Sequence, residues 1–258
     1  MILDEIAAKR RIQLEREMNR VPLETVKKAA EHAANCGVFT ASLEKNGLSV
    51  IAEVKKASPS KGLICPDFHP VTIAKAYETA GADAISVLTE EVYFQGSSVY
   101  LKEIRQSVGL PILRKDFIIH PYQIYEAKAI GADAVLLIAA LLPDEALREY
   151  SKLADSLGLD RLMEIHNERE LERVLAMESK LVGINNRDLK NLQVDLQTTA
   201  RLAKHVPKDC VLVSESGIVT REDFLAAEQA GADAVLIGEA LMRSPSIPEM
   251  LRELRRKL

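Results

Sequence analysis

Short apolar runs and amphipathic segments alternate along most of this chain. Helical patterns lie between the apolar runs, for example over residues 168–179 and 220–231. The apolar runs themselves predict eight strands, at residues 49–54, 85–89, 111–116, 134–140, 162–165, 182–186, 211–216 and 234–239. Apolar strands that alternate with helices indicate a parallel sheet that is covered on both faces. Eight such units predict an α/β fold of the (β/α)8 barrel type, because the competing doubly wound open sheet usually has fewer strands.

A repeated phrase supports the same periodicity. The residues Gly-Ala-Asp-Ala, followed by an apolar run, begin at positions 81, 131 and 231. Gly can end a helix in the left-handed conformation, and Asp favours the short turn that leads into a buried strand. The phrase therefore predicts a recurring junction between a helix and the next strand.

The first 46 residues precede the first predicted strand. Their apolar residues follow an amphipathic pattern that begins with Ile2 and Ile6 and continues to Val26. We interpret residues 1–46 as an N-terminal helical extension that packs on the barrel. Residues 1–258 are then expected to form a single barrel domain.

Composition and charge exclude several classes of protein. Hydrophobic residues make up 47% of the chain and charged residues 28%, as in ordinary globular proteins. The net charge of −4 argues against binding of nucleic acid through a basic surface. The longest apolar run, residues 134–142, is too short to cross a bilayer, and the charged N-terminal segment does not have the pattern of a signal peptide. We therefore expect a cytoplasmic protein without a membrane or nucleic-acid partner.

Metal and cofactor motifs are absent from the sequence. The three cysteines, Cys36, Cys65 and Cys210, have neither the spacing of a disulfide framework nor that of a metal site. The five histidines show no metal spacing, and the pair Glu164 and His166 is too weak a signal by itself. Dinucleotide, P-loop, zinc-protease and serine-hydrolase motifs do not occur. We therefore expect no metal and no cofactor.

Charged residues stand where the predicted strands end. Glu53 and Lys55 are two positions apart in the first strand and so share one face, while Lys115 ends the third strand and Glu164 lies in the fifth. In a barrel these ends meet at one mouth, where active sites lie. Each charge alone is explained as a solvated loop residue, or as a structural ion pair of Glu53 with one of the lysines. Their convergence indicates a functional site, since desolvated ions rarely stabilise a fold.

Other polar residues near strand ends have simpler explanations. We interpret Glu90, Asp116 and Asp188 as turn and cap residues. The pairs Ser216-Gly217 and Gly238-Glu239 follow the seventh and eighth strands, where barrels often bind phosphate through backbone N–H groups. A plain chain turn is the alternative for both pairs. The segment 58–62, Ser-Pro-Ser-Lys-Gly, could add hydroxyl groups and a cation.

Six segments together resemble the indole-3-glycerol phosphate synthase family. They are 51-IAEVKKASPSKG-62, 86-SVLTEEVYFQGS-97, 112-ILRKDFII-119, 162-LMEIHNE-168, 183-GINNRDL-189 and 214-SESGI-218. The resemblance, which covers about residues 2–245, implies a carboxy-lyase of tryptophan biosynthesis that needs no cofactor. Such an enzyme converts 1-(2-carboxyphenylamino)-1-deoxyribulose 5-phosphate, a phosphorylated small molecule, into indole-3-glycerol phosphate, with loss of carbon dioxide and water. We expect a monomer.

The resemblance also implies roles for individual residues. Lys115 is expected to be the general acid at the substrate carbonyl, and Glu164 the general base. Lys55 would bind the carboxylate or phosphate or act as a second acid, and Glu53 would orient the lysines or assist proton removal. The division within each pair stays open. The other catalytic candidates are Asn185, Glu215 and Ser216, and the substrate-binding candidates are Ser58, Phe94, Phe117, Arg187, Gly217, Gly238 and Glu239.

Three features depart from the family pattern. Glu239 stands where some members have a small residue, Val92 stands where a basic or polar residue is more usual, and no aromatic residue precedes Phe39. These differences concern ring packing and affinity. Two other functions are alternatives: that of a sister barrel, either phosphoribosyl anthranilate isomerase or the α subunit of tryptophan synthase, and that of a phosphosugar-binding barrel without catalysis. An isomerase is expected to have other acid–base residues, such as Cys or Asp, in the first strand in place of the Glu-x-Lys pair. A barrel that only binds phosphosugars is expected to lack Lys115 or Glu164.

Overall fold

Eight parallel strands close into a barrel in the computed structural model, which describes residues 2–34 and 38–256. A short hairpin, β2 with β3, follows the first barrel strand. The strands are β1 (Ser49–Val54), β2 (Ala57–Ser58), β3 (Gly62–Leu63), β4 (Ala84–Leu88), β5 (Ile112–Lys115), β6 (Ala134–Ile138), β7 (Asp160–Ile165), β8 (Leu181–Asn185), β9 (Val211–Glu215) and β10 (Ala234–Ile237). The order around the barrel is β1, β10, β9, β8, β7, β6, β5, β4. The predicted (β/α)8 barrel is confirmed.

Helices precede, separate and follow the barrel strands. They are α1 (Ile2–Arg20), α2 (Leu23–Glu31), α3 (Phe39–Leu43), α4 (Pro70–Thr79), α5 (Ser98–Arg105), α6 (Pro121–Ala129), α7 (Asp144–Ser156), α8 (Glu168–Leu175), α9 (Gln197–Leu202), α10 (Arg221–Gln229), α11 (Glu239–Arg243) and α12 (Ile247–Arg255). No helix within the described residues combines the length and the apolar composition that a membrane span requires. Cys36 lies outside the described residues.

The repeated Gly-Ala-Asp phrase forms the same junction three times. Its glycines have φ angles of 81°, 90° and 94°, in the left-handed region that glycine enters without strain. The three aspartates each accept a backbone N–H bond of 2.8 Å from a neighbouring strand, through the pairs Asp83 and Val50, Asp133 and Ile112, and Asp233 and Leu212. The aspartates therefore fasten adjacent strands together as well as shaping the turn.

Alternate strand residues fill two apolar layers. Val50 and Ala52 of β1 point outward and pack beneath the helices. Ile51 points into the barrel, where Phe39 and Leu43 of α3 join its cluster from the end at which the strands begin. Glu53 is two residues beyond Ile51 and lies on the same inner face. The barrel interior therefore changes from apolar at the start of the strands to charged at their ends.

The N-terminal extension reaches the other end of the barrel through α1. Arg10 of α1 is fully buried, and its Nε and Nη2 atoms donate to Asp116 over 3.0 and 3.1 Å. Arg114 donates to the same carboxylate over 3.0 Å. Asp116 stands in the bend after β5, where its carboxylate accepts the backbone N–H of Phe117 over 2.8 Å, and it is also the centre of a buried ion-pair network that the sequence did not indicate. This network holds α1 beside the strand that carries Lys115.

Candidate active site

A cavity of about 1010 Å³ opens where the barrel strands end. Every side chain or backbone position that the sequence predicted for the site lines it: Glu53, Lys55, Ser58, Phe94, Lys115, Phe117, Glu164, Asn185, Arg187, Glu215, Ser216, Gly217, Gly238 and Glu239. The strand order explains this, because parallel strands bring their carboxyl ends to one mouth. The structure brings the residues together, and the role of each stays a prediction.

Two ammonium groups stand among three buried carboxylates at the cavity floor. The Nζ atom of Lys115 lies 3.1 Å from Glu215 Oε2 and 3.3 Å from Glu164 Oε2. The Nζ atom of Lys55 lies 2.5 Å from Glu53 Oε2. The carboxylate residues are 1–4% exposed, so water screens these charges weakly. The charges of Lys115, Glu164 and Glu215 therefore control one another's protonation.

This environment raises the pKa of both Lys115 and Glu215. Burial lowers the pKa of Lys115, but the carboxylates of Glu215, Glu164 and Glu53 outweigh it and raise that pKa well above its usual value. Burial also raises the pKa of Glu215 to about 7, and the Glu164 charge adds to this, although Lys115 opposes it. At neutral pH, Lys115 is thus charged, whereas Glu215 carries a proton in part of the molecules.

The pKa of Glu164, in contrast, is lowered. Burial by itself would raise its pKa, but Lys115, His166 and Asn185 together hold the pKa well below its usual value. Asn185 Nδ2 donates to Glu164 Oε1 over 3.1 Å, and the register of the strands sets Asn185 directly beside Glu215. Two neighbouring glutamates are thus held in different protonation states, a pattern typical of acid–base sites.

Two glycines make room for these carboxylates. A methyl group at Gly183 would overlap Glu215 Oε1, and one at Gly238 would overlap Glu53 Oε2 and stand 2.8 Å from Lys55 Nζ. The sequence prediction gave Gly238 a role at a phosphate and gave Gly183 none. The sequence signal for Gly183 is a glycine inside an apolar strand, which often marks a place where another group approaches the backbone closely.

Apolar side chains cover one side of the cavity. The rings of Phe94 and Phe117 are 6.0 Å apart and inclined by 39°. The α1 residues Ile2, Leu3 and Ile6 line the same cavity, and the sequence prediction missed them. Since no aromatic residue precedes Phe39, aliphatic groups supply this cover in the chain described here.

A carboxylate at the end of β4 fixes the loop that carries Phe94. Glu90 accepts the backbone N–H groups of Val92, Tyr93 and Phe94 over 2.9, 2.7 and 3.0 Å. Glu90 is therefore the cap residue that the sequence indicated. The side chain of Val92 is 53% exposed and lies outside the cavity lining, so this departure from the family pattern does not alter the site.

The loop after β9 has an unusual backbone conformation. Ser216 and Gly217 both have positive φ angles, 67° and 89°. Asn186 Nδ2 donates to the carbonyl oxygen of Ser216 over 3.0 Å, while Asn186 Oδ1 accepts both the N–H and the hydroxyl group of Thr199. Asn186 therefore holds the loop in this conformation. The sequence prediction noted Asn186 at a strand end and gave it no role.

Glu239 begins the short helix α11 beside this loop. Its Oε1 atom lies 3.0 Å from Arg243 Nε and 3.8 Å from Lys61 Nζ. Both partners are cationic, so they neutralise the Glu239 carboxylate. The sequence prediction assigned the backbone of Glu239, and not its side chain, to phosphate. The first N–H groups of a helix have no partner within the helix and suit an anion.

Nearly the whole sequence matches one family of known proteins. The sequence model of the indole-3-glycerol phosphate synthase family matches residues 3–254. Indole-3-glycerol phosphate synthase from Acetivibrio thermocellus is 51% identical, over 98% of each chain, and that from Ruminiclostridium cellulolyticum is 50% identical, over 99% of each chain.

Solved structures of other enzymes share the fold. A 3-hexulose-6-phosphate synthase has a TM-score of 0.63 at 15% identity, over 81% of this chain and 98% of that chain. A mutant tryptophan synthase α-subunit from Pyrococcus furiosus has a TM-score of 0.61 at 17% identity, over 80% of this chain and 97% of that chain. At these identities the likeness concerns the barrel alone. The match of nearly the whole sequence decides the family: the chain belongs to the indole-3-glycerol phosphate synthase family.

Proposed function

We propose that the chain carries out the reaction of its family at the barrel mouth, with Lys115 as the general acid and Glu164 as the general base. The substrate is 1-(2-carboxyphenylamino)-1-deoxyribulose 5-phosphate, and the products are indole-3-glycerol phosphate, carbon dioxide and water. The position of Lys115 carries the proposal. Its ammonium group is held between two buried carboxylates at the floor of a cavity that is large enough for the substrate.

Ring closure needs an acid at the substrate ketone. The aromatic carbon that bears the carboxylate attacks the ketone carbon, and the ketone oxygen takes a proton from Lys115 to become a hydroxyl group. Loss of carbon dioxide then restores the aromatic ring. Glu215, which has a pKa of about 7 and lies 3.1 Å from Lys115 Nζ, supports the step by returning a proton to Lys115.

The last steps need an acid and then a base. The new hydroxyl group leaves as water after protonation, for which Lys115 is again available. A proton is then removed from the carbon next to nitrogen; its C–H electron pair forms the carbon–carbon double bond that makes the five-membered ring aromatic.

The other residues bind the ends of the substrate. Lys55, oriented by Glu53, faces the cavity and is assigned to the substrate carboxylate. The rings of Phe94 and Phe117 form a wall for the aromatic ring of the substrate. The remaining binding groups are assigned to the phosphate and the sugar hydroxyls: Ser58, Asn185, Arg187 and the backbone of Ser216, Gly217, Gly238 and Glu239.

The test is the appearance of indole fluorescence. Because the chain contains no Trp, emission of an indole after addition of the substrate must come from the product. Lys115→Ala is expected to slow turnover by about 100- to 10,000-fold while substrate binding is largely kept, as for loss of a general acid. Lys55→Ala is expected to weaken substrate binding as well as slow turnover.

Lys56→Ala is the matched control, since Lys56 is the neighbour of Lys55 but does not line the cavity. It should leave turnover unchanged. Normal turnover in Lys115→Ala would refute the assignment of the acid. Bound substrate without any fluorescence from the unaltered protein would instead favour a phosphosugar-binding barrel without catalysis.

A further inference from the structure

A histidine behind the cavity joins the Glu164 carboxylate to a second carboxylate. His166 follows β7; its Nε2 atom lies 3.4 Å from Glu164 Oε1, and its Nδ1 atom lies 3.0 Å from Glu170 Oε2. The imidazole is 13% exposed and does not line the cavity. His166 therefore contacts Glu164 without taking up the space of the substrate.

The start of α8 fixes the orientation of this imidazole. Glu170 Oε2 also accepts the backbone N–H of His166 over 2.8 Å, and Glu170 Oε1 accepts Asn167 Nδ2 over 2.6 Å. Asn167 in turn caps α8 by accepting the backbone N–H of Glu170 over 3.0 Å. The segment 164-EIHNERE-170 thus encodes a strand end, a histidine, a helix cap and the carboxylate that holds the histidine.

The imidazole is a cation in this environment. Burial lowers the pKa of His166, but its contacts with Glu164 and Glu170 outweigh burial and raise the pKa to about 10. Nδ1 donates to Glu170 Oε2 over 3.0 Å, while the protonated Nε2 faces Glu164 Oε1 across 3.4 Å as an ion contact without hydrogen-bond geometry. Glu170 balances the charge, since its own pKa is lowered despite burial through contact with His166.

The order of the chemical steps determines which cation contacts Glu164 when the last proton is removed. Glu164 faces Lys115 from β5, the neutral amide of Asn185 from β8 and the imidazole of His166, while Glu215 of β9 lies beyond the Lys115 ammonium. Lys115 gives up a proton at ring closure, regains one from Glu215 and gives it up again as water leaves, so it is neutral when Glu164 acts. From that moment His166 is the cation that remains in contact with Glu164 among the described residues.

We propose that His166 is a positioning residue for this reaction: its imidazolium holds Glu164 oriented and anionic until Glu164 removes the last proton, and Glu170 anchors the imidazolium. The proposal rests on the proposed role of Glu164 as general base. It assigns no contact with the substrate to His166. The segment 166–170 thereby becomes part of the catalytic machinery, although it lies outside the cavity.

The first test compares His166→Gln with the unaltered protein in the fluorescence assay across pH. Gln has hydrogen-bonding groups but no charge. We expect kcat to fall about 10-fold while KM changes less than about 2-fold, because only the base is affected. Removal of a cation raises the pKa of Glu164, so the acidic limb of the kcat profile should move to higher pH, by about one unit. Glu170→Gln should move the limb in the same direction by a smaller amount.

Two comparisons separate this role from a structural one. In a Glu164→Gln background, the additional change His166→Gln should not lower kcat further, because His166 acts through Glu164. His205→Gln, at an exposed histidine, should leave both kcat and its pH profile unchanged. A lower melting temperature for His166→Gln with an unmoved acidic limb would overturn the proposal.

The outcomes also separate this inference from the proposed function. No indole signal from the unaltered protein refutes the function itself. An active protein whose acidic limb stays in place after His166→Gln refutes only the role of His166. If His166→Gln does not fold, Glu170→Gln decides, since it leaves the imidazole in place, and an unmoved limb in that variant would overturn the proposal.

Discussion

Single positions decide whether the buried charges fit together. Gly183 is a case in which the requirement is space alone, because an added methyl group would overlap Glu215 Oε1 and stand 3.1 Å from Leu162. The flexible carboxylate would give way before the backbone does. A substitution at Gly183 therefore changes the partner of Lys115 without changing the fold.

Gly183→Ala is expected to lower kcat about 10-fold, because Glu215 is pushed from its contact with Lys115. The free energy of unfolding should change by less than about 2 kcal/mol, as for a modest overpacking. Steady-state kinetics and urea unfolding measure the two effects. Gly109→Ala is the control, since its methyl group would stand at an ordinary 3.5 Å from Glu78. An unchanged kcat in Gly183→Ala would mean that the position of Glu215 does not matter.

Helix α1 links the N-terminal extension to the candidate active site. It contributes Ile2, Leu3 and Ile6 to the cavity and is fastened by the pair of Arg10 with Asp116. Both side chains of this pair are fully buried. Removal of one partner leaves the other without full compensation, which is costly in a buried site. The anchor of α1 and the cover of the cavity are therefore coupled.

Arg10→Met should lower the free energy of unfolding by about 3 kcal/mol. It should also raise KM, because a loosened α1 no longer holds its aliphatic residues over the substrate ring. Thermal unfolding and steady-state kinetics measure these effects, and Arg16→Met, at an exposed position on the same helix, is the control. Lower stability with an unchanged KM would show that α1 stabilises the barrel but takes no part in substrate binding.

Over the whole molecule, the barrel mouth holds more buried negative charge than its lysines neutralise. Glu53, Glu164 and Glu215 share two ammonium groups. Burial, together with the neighbouring Glu164 charge, raises the pKa of Glu215 to about 7. A carboxyl group whose pKa is raised by folding stabilises the fold while it is protonated. Its contribution is complete below the unfolded pKa of about 4.3 and declines as pH rises to about 7.

Glu215→Gln should therefore stabilise the protein at pH 8 relative to the unaltered chain, by on the order of 2–3 kcal/mol, while it impairs catalysis. The gain should shrink as pH falls toward 5, where the native carboxyl group is itself neutral. Urea unfolding of both proteins at pH 5 and pH 8 measures the difference. Glu228→Gln, at an exposed glutamate, is the control and should show no such dependence. An equal effect at both pH values would contradict the raised pKa.

The sequence by itself determined the barrel and the membership of its mouth. Apolar runs, helical segments and the Gly-Ala-Asp phrase are local patterns, and the parallel order of strands then brings every predicted side chain to one end. The sequence determines the ends of the strands less closely: the fourth predicted strand, residues 134–140, ends at Ile138. The N–H groups of Leu141 and Leu142 turn back there to the carbonyl oxygen of Ile138.

Only the tertiary structure decided which charges meet. It paired Lys115 with Glu164 and Glu215, and Lys55 with Glu53, although the sequence allowed other pairings. Contacts such as that of Arg10 with Asp116, 106 residues apart, have no local pattern in the sequence. Their geometry depends on the closure of the barrel and on the packing of the extension. Protonation depends on burial and on neighbours in space, so the acid–base character of the site belongs to the folded chain.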